Sequence, residues 1–357
     1  MRYFLELCLK SVQKAISSID AEIIVVDNNS EDDSCQMVKK LFPNVILIEN
    51  KENFGFSKGN NIGVSHAKGE YICILNPDTV VAEDTFIKLL DFSNNKKDLG
   101  IVGCRLINGA GEFLPESKRN IPYVKASLFK LLGNPKMYYA SLLNQDETGK
   151  VDVLVGAFMF LKRELFNKVG GLDEDYFMYG EDIDFSFRVL RAGYQNYYFG
   201  DTTIVHFKGE STLRDKHYAR RFYGAMQIFY KKHFKKNILF DAFVWFAIRL
   251  VYLFRKTPSN KPKNVSEYVL LSNKKNKNLQ NTLNVELQLK SDLVGVKNKS
   301  EIILDANVMS YKDIIDVILS RPSNKALTFK ILPDNASFIL GSDNAISRGE
   351  VVFINQF

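Results

Sequence analysis

Acidic side chains cluster in one stretch of the sequence, FMYGEDIDFSFRVLRAGY, which covers residues 177–194. Glu181, Asp182 and Asp184 follow a Tyr-Gly pair and stand directly before apolar residues at helical spacing. A carboxylate within hydrogen-bond reach of a hydroxyl group can accept its proton, so this segment is a candidate for general-base catalysis. Acids in the first turn of a helix also interact favourably with the helix dipole, and this structural explanation stays open for Asp182.

A second group of polar residues lies at the ends of two predicted strands. The strand predicted within residues 22–30 closes on Asp27, and the one within residues 71–78 ends in Asn76 and Asp78. Carboxylates that converge at one edge of a sheet repel each other unless a cation or a donor-rich ligand lies between them. Oxygen ligands of this kind suit Mg²⁺ or Mn²⁺. Capping of the following helix or turn by the same residues is the alternative.

The elements that would position these residues alternate between helix and strand. Apolar spacing predicts a helix over residues 4–16, a buried strand in 22–30, a helix over 30–41, a strand over 44–50, a loop and helix over 53–69, and a buried strand over 71–78. This alternation predicts a parallel α/β sheet with ligands at the carboxyl ends of its strands.

Length and composition limit the number of domains, the type of partner and the cellular setting that the protein can have. The chain has 357 residues, of which 46% are hydrophobic and 25% charged, enough for one large domain and a smaller one. A net charge of +7 favours an anionic partner such as a nucleotide phosphate or a membrane surface, but is too small to indicate nucleic acid. The four cysteines form no C-x-x-C pair and no signal peptide is visible, which favours a reduced, cytoplasmic setting.

Five motifs occur in order: VVDNNS, NFGFSKGNNIG, LNPD, GAFMFLKRELFNKVGGLDEDYFMYGEDIDFSFRVLRAGY and HFKGES. Together they resemble the inverting family 2 glycosyltransferases of the GT-A fold, closest to the bacterial rhamnosyltransferase-like branch, over roughly residues 3–230. The resemblance implies a GT-A, Rossmann-like mixed α/β sheet. It also implies a divalent metal, a UDP- or dTDP-linked sugar donor, a glycan or lipid-linked acceptor, and a role in cell-surface glycan synthesis.

The resemblance also implies a role for individual residues. Asp182 matches the general base, with Glu181 beside it in the family's ED pair, and Gly156 and Ala157 match the acceptor-side turn. Asp78 and His206 match the positions of metal ligands. The residues implied in donor binding are Asp27, Asn29, Gly55, Lys58, Asn60 and Asn76.

The beginning of the sequence departs from the family pattern. The family has an inner strand and a polar turn before its first helix, whereas Met1 falls almost at that helix. Either the start given is too late, or the chain is a shortened paralogue that binds nucleotide sugars with impaired or no catalysis. A nucleotidyltransferase is a further alternative, disfavoured because the chain lacks the Gly-rich phosphate loop of that class.

The sequence predicts a catalytic domain at residues 1–230 and two further regions after it. Residues 231–264 hold a basic and apolar segment and a linker; its apolar core, 238–254, is short of the ~20 residues needed to span a bilayer. An interfacial helix that makes the protein peripheral to a bacterial cytoplasmic membrane is expected, while a helix packed on the enzyme and a true span stay open. Residues 265–357 predict a small Rossmann-like α/β domain without G-x-G-x-x-G, for which a packing or regulatory role is preferred.

Overall fold

A computed structural model describes residues 1–123, 126, 134, 136–208, 216–234, 263–344 and 348–355. The expected interfacial helix at residues 238–254 and most of the following linker lie outside these ranges. Among the helices within them, none has the length and apolar content needed to cross a bilayer.

Helices and strands alternate from Arg2 to Leu75, as the apolar spacing predicts, and follow a less regular order beyond that point. The helices are α1 (Arg2–Ala15), α2 (Ser34–Leu41), α3 (Gly55–His66), α4 (Thr85–Asn94), α5 (Arg163–Val169), α6 (Glu181–Arg191) and α7 (Lys216–His233). The strands are β1 (Ile24–Asp27), β2 (Ile46–Glu49), β3 (Tyr71–Leu75), β4 (Thr79–Val80), β5 (Leu99–Ile107), β6 (Gly149–Lys150), β7 (Phe158–Lys162) and β8 (Gln195–His206).

The main sheet is mixed, with the strand order β3-β7-β5-β8-β4 and β6 paired to β8. β7 runs antiparallel to β3 and to β5, while β5 and β8 are parallel. The mixed α/β architecture is therefore confirmed, and the sheet carries the carboxyl ends of β3 and β8 to the region of the predicted site.

The prediction of one parallel sheet through β1, β2 and β3 is wrong for the described residues. β1 and β2 form a separate two-stranded parallel sheet, and β3 pairs with β7 instead. β1 is also only half-buried, although its sequence is apolar, because its residues line a large cavity together with those of β3. Strand pairing depends on distant partners, which the local apolar pattern does not specify.

The C-terminal residues form a sheet of their own. Its elements are β9 (Tyr268–Leu271), α8 (Lys277–Leu283), β10 (Leu287–Lys290), β11 (Glu301–Asp305), α9 (Tyr311–Leu319), β12 (Thr328–Leu332), β13 (Phe338–Gly341) and β14 (Glu350–Phe353). The strand order is β10-β9-β11-β12-β13-β14, parallel up to β12 and antiparallel beyond it. Ser310 and Asp313 begin α9 with a reciprocal capping box.

The C-terminal sheet and the N-terminal part share one hydrophobic core. Phe4 and Leu7 of α1 and Val205 of β8 pack in the same buried cluster as Leu304 and Phe329 of the C-terminal sheet. Side-chain polar contacts reinforce this packing, since the carboxylate of Glu83 accepts hydrogen bonds from the first two backbone amides of α9 at 2.7 and 2.8 Å. The C-terminal residues are thus packed against the helix with which the chain begins.

Candidate active site

A cavity of about 1370 Å³ opens between β1, β3 and the first turn of α6. The predicted site residues that line it are Asp27, Asn29, Gly55, Asn60, Asn76, Asp78, Gly156, Ala157, Glu181, Asp182 and His206. Lys58 is not among the lining residues, because its ammonium group lies over the ring of Phe54, 4.0 Å from the centroid. The structure therefore brings together residues that are up to 179 positions apart (206 − 27), while their individual roles stay predictions.

The acid pair begins α6 at the wall of this cavity. Gly180, with a φ of 82°, turns the chain into the helix so that Glu181 and Asp182 stand in its first turn. One carboxylate oxygen of Asp182, Oδ2, accepts hydrogen bonds from Nη2 of Arg119 at 2.6 Å and from the backbone amide of Gly156 at 3.2 Å. Arg119 was not predicted from the sequence, because it lies 63 residues from Asp182 in a polar stretch without local pattern.

Glu181 has a different environment from that of its neighbour. The residue is only 6% exposed, and no described residue hydrogen-bonds to its carboxyl oxygen Oε2. Burial, and then the negative charge of Asp182, raises the pKa of Glu181 to about 8. The raised pKa favours the protonated form of Glu181, in which the carboxyl group can donate a hydrogen bond.

The third acid of the segment, Asp184, faces away from the cavity. Its carboxylate accepts a hydrogen bond from Nε of Arg188 at 2.6 Å and lies 2.6 Å from Nε2 of His233 on α7. These contacts join α6 to α7, and the expectation that Asp184 is a weaker candidate than Asp182 for a proton acceptor stays a prediction.

Asp78, Asn76 and His206 form the candidate metal centre. Nε2 of His206 lies 3.3 Å from Oδ1 of Asp78 and 3.4 Å from the side-chain amide nitrogen of Asn76. The side-chain oxygens Oδ1 of Asn76 and Oδ1 of Asp78 are buried and accept no hydrogen bond from a described residue. Buried oxygens without donors fit a divalent cation that takes few protein ligands and completes its shell with phosphate oxygens and water. No cluster of three or more His, Cys, Asp or Glu suited to a metal occurs in the described part of the chain.

The donor side of the cavity is built on the junction of β1 and α3. Asp27 accepts a hydrogen bond from the backbone amide of Ser30 at 3.0 Å, which shapes the turn after β1. Gly55 has a φ of 80°, and a Cβ there would lie 2.4 Å from the carbonyl oxygen of Phe177. That close approach places the segment before the acid pair directly on the start of α3, so the predicted donor and acid-pair regions are fixed relative to each other.

The strand ends of a mixed α/β sheet and the acid pair face one cavity. Residues 3–170 match the sequence profile of Glycosyl transferase family 2, and this part of the chain belongs to that family. The resemblance drawn from the five motifs is therefore confirmed.

The matches to similar proteins span about two thirds of the length of each of those proteins. The N-acetylglucosaminyl-diphospho-decaprenol L-rhamnosyltransferase of Mycobacterium tuberculosis is 26% identical over 210 residues, covering 54% of this chain and 68% of that enzyme. A low-salt glycan biosynthesis hexosyltransferase of Haloferax volcanii is 28% identical over 202 residues, covering 55% and 61%. Among solved structures, a mannosyltransferase of Pyrobaculum calidifontis in complex with GDP-Man and Mn²⁺ is 18% identical, covering 71% and 67%, with a TM-score of 0.45.

Proposed function

We propose that this protein is an inverting glycosyltransferase that moves a sugar from a nucleotide-sugar donor to a glycan or lipid-linked acceptor in cell-surface glycan synthesis. The observation that carries the proposal is the convergence of the acid pair Glu181 and Asp182 with Asp27, Asn76 and Asp78 on one cavity. The names of the relatives, which include an N-acetylglucosaminyl-diphospho-decaprenol L-rhamnosyltransferase and a glycan biosynthesis hexosyltransferase, support the acceptor class.

The donor occupies the half of the cavity formed by β1 and the start of α3. In this arrangement Asp27 binds the base of a UDP- or dTDP-linked sugar, while Asn29 and Asn60 contact the rest of the nucleotide. Gly55 lets the backbone approach closely, since no side chain could stand at its φ of 80° beside Phe177. Lys58, which lies over Phe54, would have to leave that ring to reach the donor.

Asp78, Asn76 and His206 would hold Mg²⁺ or Mn²⁺. The bound cation supplies neutralisation of the charge that develops on the leaving diphosphate. The protein's own residues keep two donor-free buried oxygens ready in this part of the cavity, on Asn76 and Asp78.

The transfer itself requires one proton acceptor. The acceptor hydroxyl attacks the anomeric carbon from the face opposite the leaving group, a new carbon–oxygen bond forms, and the bond to the diphosphate oxygen breaks with its electron pair. The proton of the attacking hydroxyl passes to the carboxylate of Asp182, which is fixed in place by Arg119 and the amide of Gly156. Gly156 and Ala157 lie on the acceptor side of this reaction.

The protein works at the cytoplasmic face of the membrane in this proposal, as a peripheral protein. The support is the apolar sequence of residues 238–254 with basic residues on both sides, which suits an anionic lipid surface. A lipid-linked acceptor would be reached from that surface, and no nucleic acid is involved.

Release of nucleoside diphosphate tests the proposal. The intact protein is incubated with a panel of UDP- and dTDP-linked sugars, Mn²⁺ or Mg²⁺, and a polyprenyl-diphosphate-linked sugar as acceptor. We expect at least one donor to be consumed with inversion, and Asp182→Asn to reduce transfer about 10²–10⁴-fold while nucleotide binding by calorimetry is retained. Asp175→Asn is the matched control, because it removes an exposed acid outside the lining of the cavity. Undiminished transfer in Asp182→Asn, or no turnover of any donor by the wild type, would overturn the proposal.

A further inference from the structure

Arg119 is a buried cation that lines the active-site cavity, and the sequence motifs assign it no role. We propose that Arg119 is the positioning residue of the proton acceptor, which keeps the carboxylate of Asp182 ionised and fixed in a site where burial alone would neutralise it. The inference rests on the proposed function, since it concerns the same carboxylate.

The guanidinium group is held rigidly beside Asp182. Arg119 is 5% exposed, and its Nη2 donates to the carbonyl of Leu154 at 2.8 Å as well as to Oδ2 of Asp182 at 2.6 Å. Its backbone exchanges two hydrogen bonds with Val153, each of 2.9 Å. The same segment presents the amide of Gly156 to the same carboxylate oxygen at 3.2 Å. Arg119 and Gly156 therefore orient Asp182 from two backbone segments that are hydrogen-bonded to each other.

Glu181 shows what happens to a carboxyl group at this wall when it has no cation of its own. Both acids are nearly buried, at 6% exposure for Glu181 and 8% for Asp182, and both stand in the first turn of α6. Oε2 of Glu181 has no hydrogen-bond partner among the described residues, and burial raises the pKa of Glu181 to about 8. Asp182 differs from Glu181 in its direct ion pair to Arg119 and in the backbone amides of Gly156 and Ile183 that donate to its carboxylate, and among these donors the guanidinium supplies the positive charge.

The other charged groups around Asp182 do not replace Arg119. Tyr138 contributes to the environment of the guanidinium, and Glu116, Lys208, Asp78 and His206 stand elsewhere on the cavity wall. The ammonium group of Lys208 is paired with Glu116. On the far side of α6, Arg188 and His233 are paired with Asp184. Asp182 has a single ion-pair partner among the described residues, and the backbone amides of Gly156 and Ile183 are further donors to its carboxylate.

The titration of Asp182 in Arg119 variants tests this inference without any substrate. In the full-length protein labelled with ¹³C at the aspartate carboxyl carbon, Arg119→Met is expected to produce a carboxyl resonance that titrates at least about two pH units above the usual aspartate value of about 4. Arg119→Met/Asp182→Asn should lack that resonance, which assigns it. Arg188→Met is the matched control: it removes a guanidinium from Asp184 on the same helix and should leave Asp182 unaffected.

Arg119→Lys separates the effect of the positive charge from that of the guanidinium shape, because lysine keeps a cation and an aliphatic stem but lacks the planar fork. We expect no high-pH aspartate resonance in Arg119→Lys, and the same resonance as in Arg119→Met would overturn the inference. An unshifted Asp182 in Arg119→Met would overturn it as well.

Transfer assays connect the titration to catalysis. With the donor and acceptor that the wild type uses, Arg119→Met should lose about tenfold or more of its rate at pH 7 and recover part of that loss as the pH is raised, since Asp182 then ionises. A loss that is the same at every pH indicates a purely structural role and contradicts the inference. If the wild type consumes no donor at all, the proposed function fails, while the carboxyl titration still decides the role of Arg119.

Discussion

Replacing Glu181 by Gln removes a buried carboxyl group and retains its size, so the pH dependence of stability isolates the effect of ionisation. Burial, and then the charge of Asp182, raises the pKa of Glu181 from 4.5 to about 8 in the folded protein. Between these pH values the folded state keeps a proton that the unfolded chain has already released. The wild type is therefore expected to lose free energy of unfolding as the pH rises from about 4.5 to about 8, and the Gln variant is not.

The size of this effect follows from the shift. One pKa unit corresponds to about 1.4 kcal/mol, so a rise from 4.5 to about 8 has an upper limit of about 5 kcal/mol. That pKa already includes the opposing charge of Arg119, and part of the effect is already present at pH 5. We therefore expect the stability advantage of Glu181→Gln over the wild type to grow by roughly 2–3.5 kcal/mol between pH 5 and pH 8.

Urea unfolding at pH 5, 6.5 and 8, followed by circular dichroism, measures the difference. Glu116→Gln provides a control of opposite sign: burial opposes ionisation of Glu116, but the ammonium group of Lys208 outweighs it and lowers the pKa of Glu116 to about 2. Stability from that pair is present above about pH 4.5 and is lost as the pH falls towards 2, so Glu116→Gln should be destabilised equally at pH 5 and pH 8. Parallel pH profiles for wild type and Glu181→Gln would refute the reasoning.

Four further predictions concern other parts of the molecule. Asp78→Ala should abolish metal-dependent donor turnover while the circular dichroism spectrum is unchanged; retained activity with the same Mn²⁺ dependence would exclude Asp78 as a ligand. Gly55→Ala should lower the free energy of unfolding by roughly 1–3 kcal/mol, because its Cβ would lie 2.4 Å from the carbonyl oxygen of Phe177 at a φ of 80°, and wild-type stability would contradict this. Glu83→Gln should cost about 1 kcal/mol in urea unfolding, since a charged acceptor at the start of α9 becomes neutral, with Glu52→Gln as an exposed control. Deletion of residues 238–254 should move the protein from the membrane pellet to the supernatant, and a deletion variant that still pellets like the intact chain would remove this segment as the anchor.

The sequence predicted most elements whose residues interact locally. Apolar spacing placed α1 within two residues of its observed start and one of its end, and the Gly-Glu-Asp run marked the start of α6. The five ordered motifs predicted which residues share the cavity, because their resemblance to the family implied one common site.

Contacts between residues far apart in the sequence could not be predicted from local patterns. The ion pair of Arg119 and Asp182 joins residues 63 positions apart, and no periodicity or turn signal links them. The separation of β1 and β2 from the main sheet depends on β3 choosing β7 as its partner, which is decided by packing across the whole domain. The contact of Glu83 with α9, over 228 residues, belongs to the same group.

The shared core cannot form at the ribosome until the C-terminal strands have been synthesised. Helix α1 emerges first, yet the ring of its Tyr3 packs against Phe338, and Nζ of Lys10 donates to the carbonyl of Asp334 across 324 positions. At translation rates of about 5–20 residues per second, α1 waits on the order of 15–65 s before these partners exist. Throughout that interval the part of α1 that carries Phe4 and Leu7 is without its final cover, so this part of the nascent chain offers a long-lived target for holdase chaperones. Slower translation of the last 100 residues or so would lengthen this exposure without changing the finished structure.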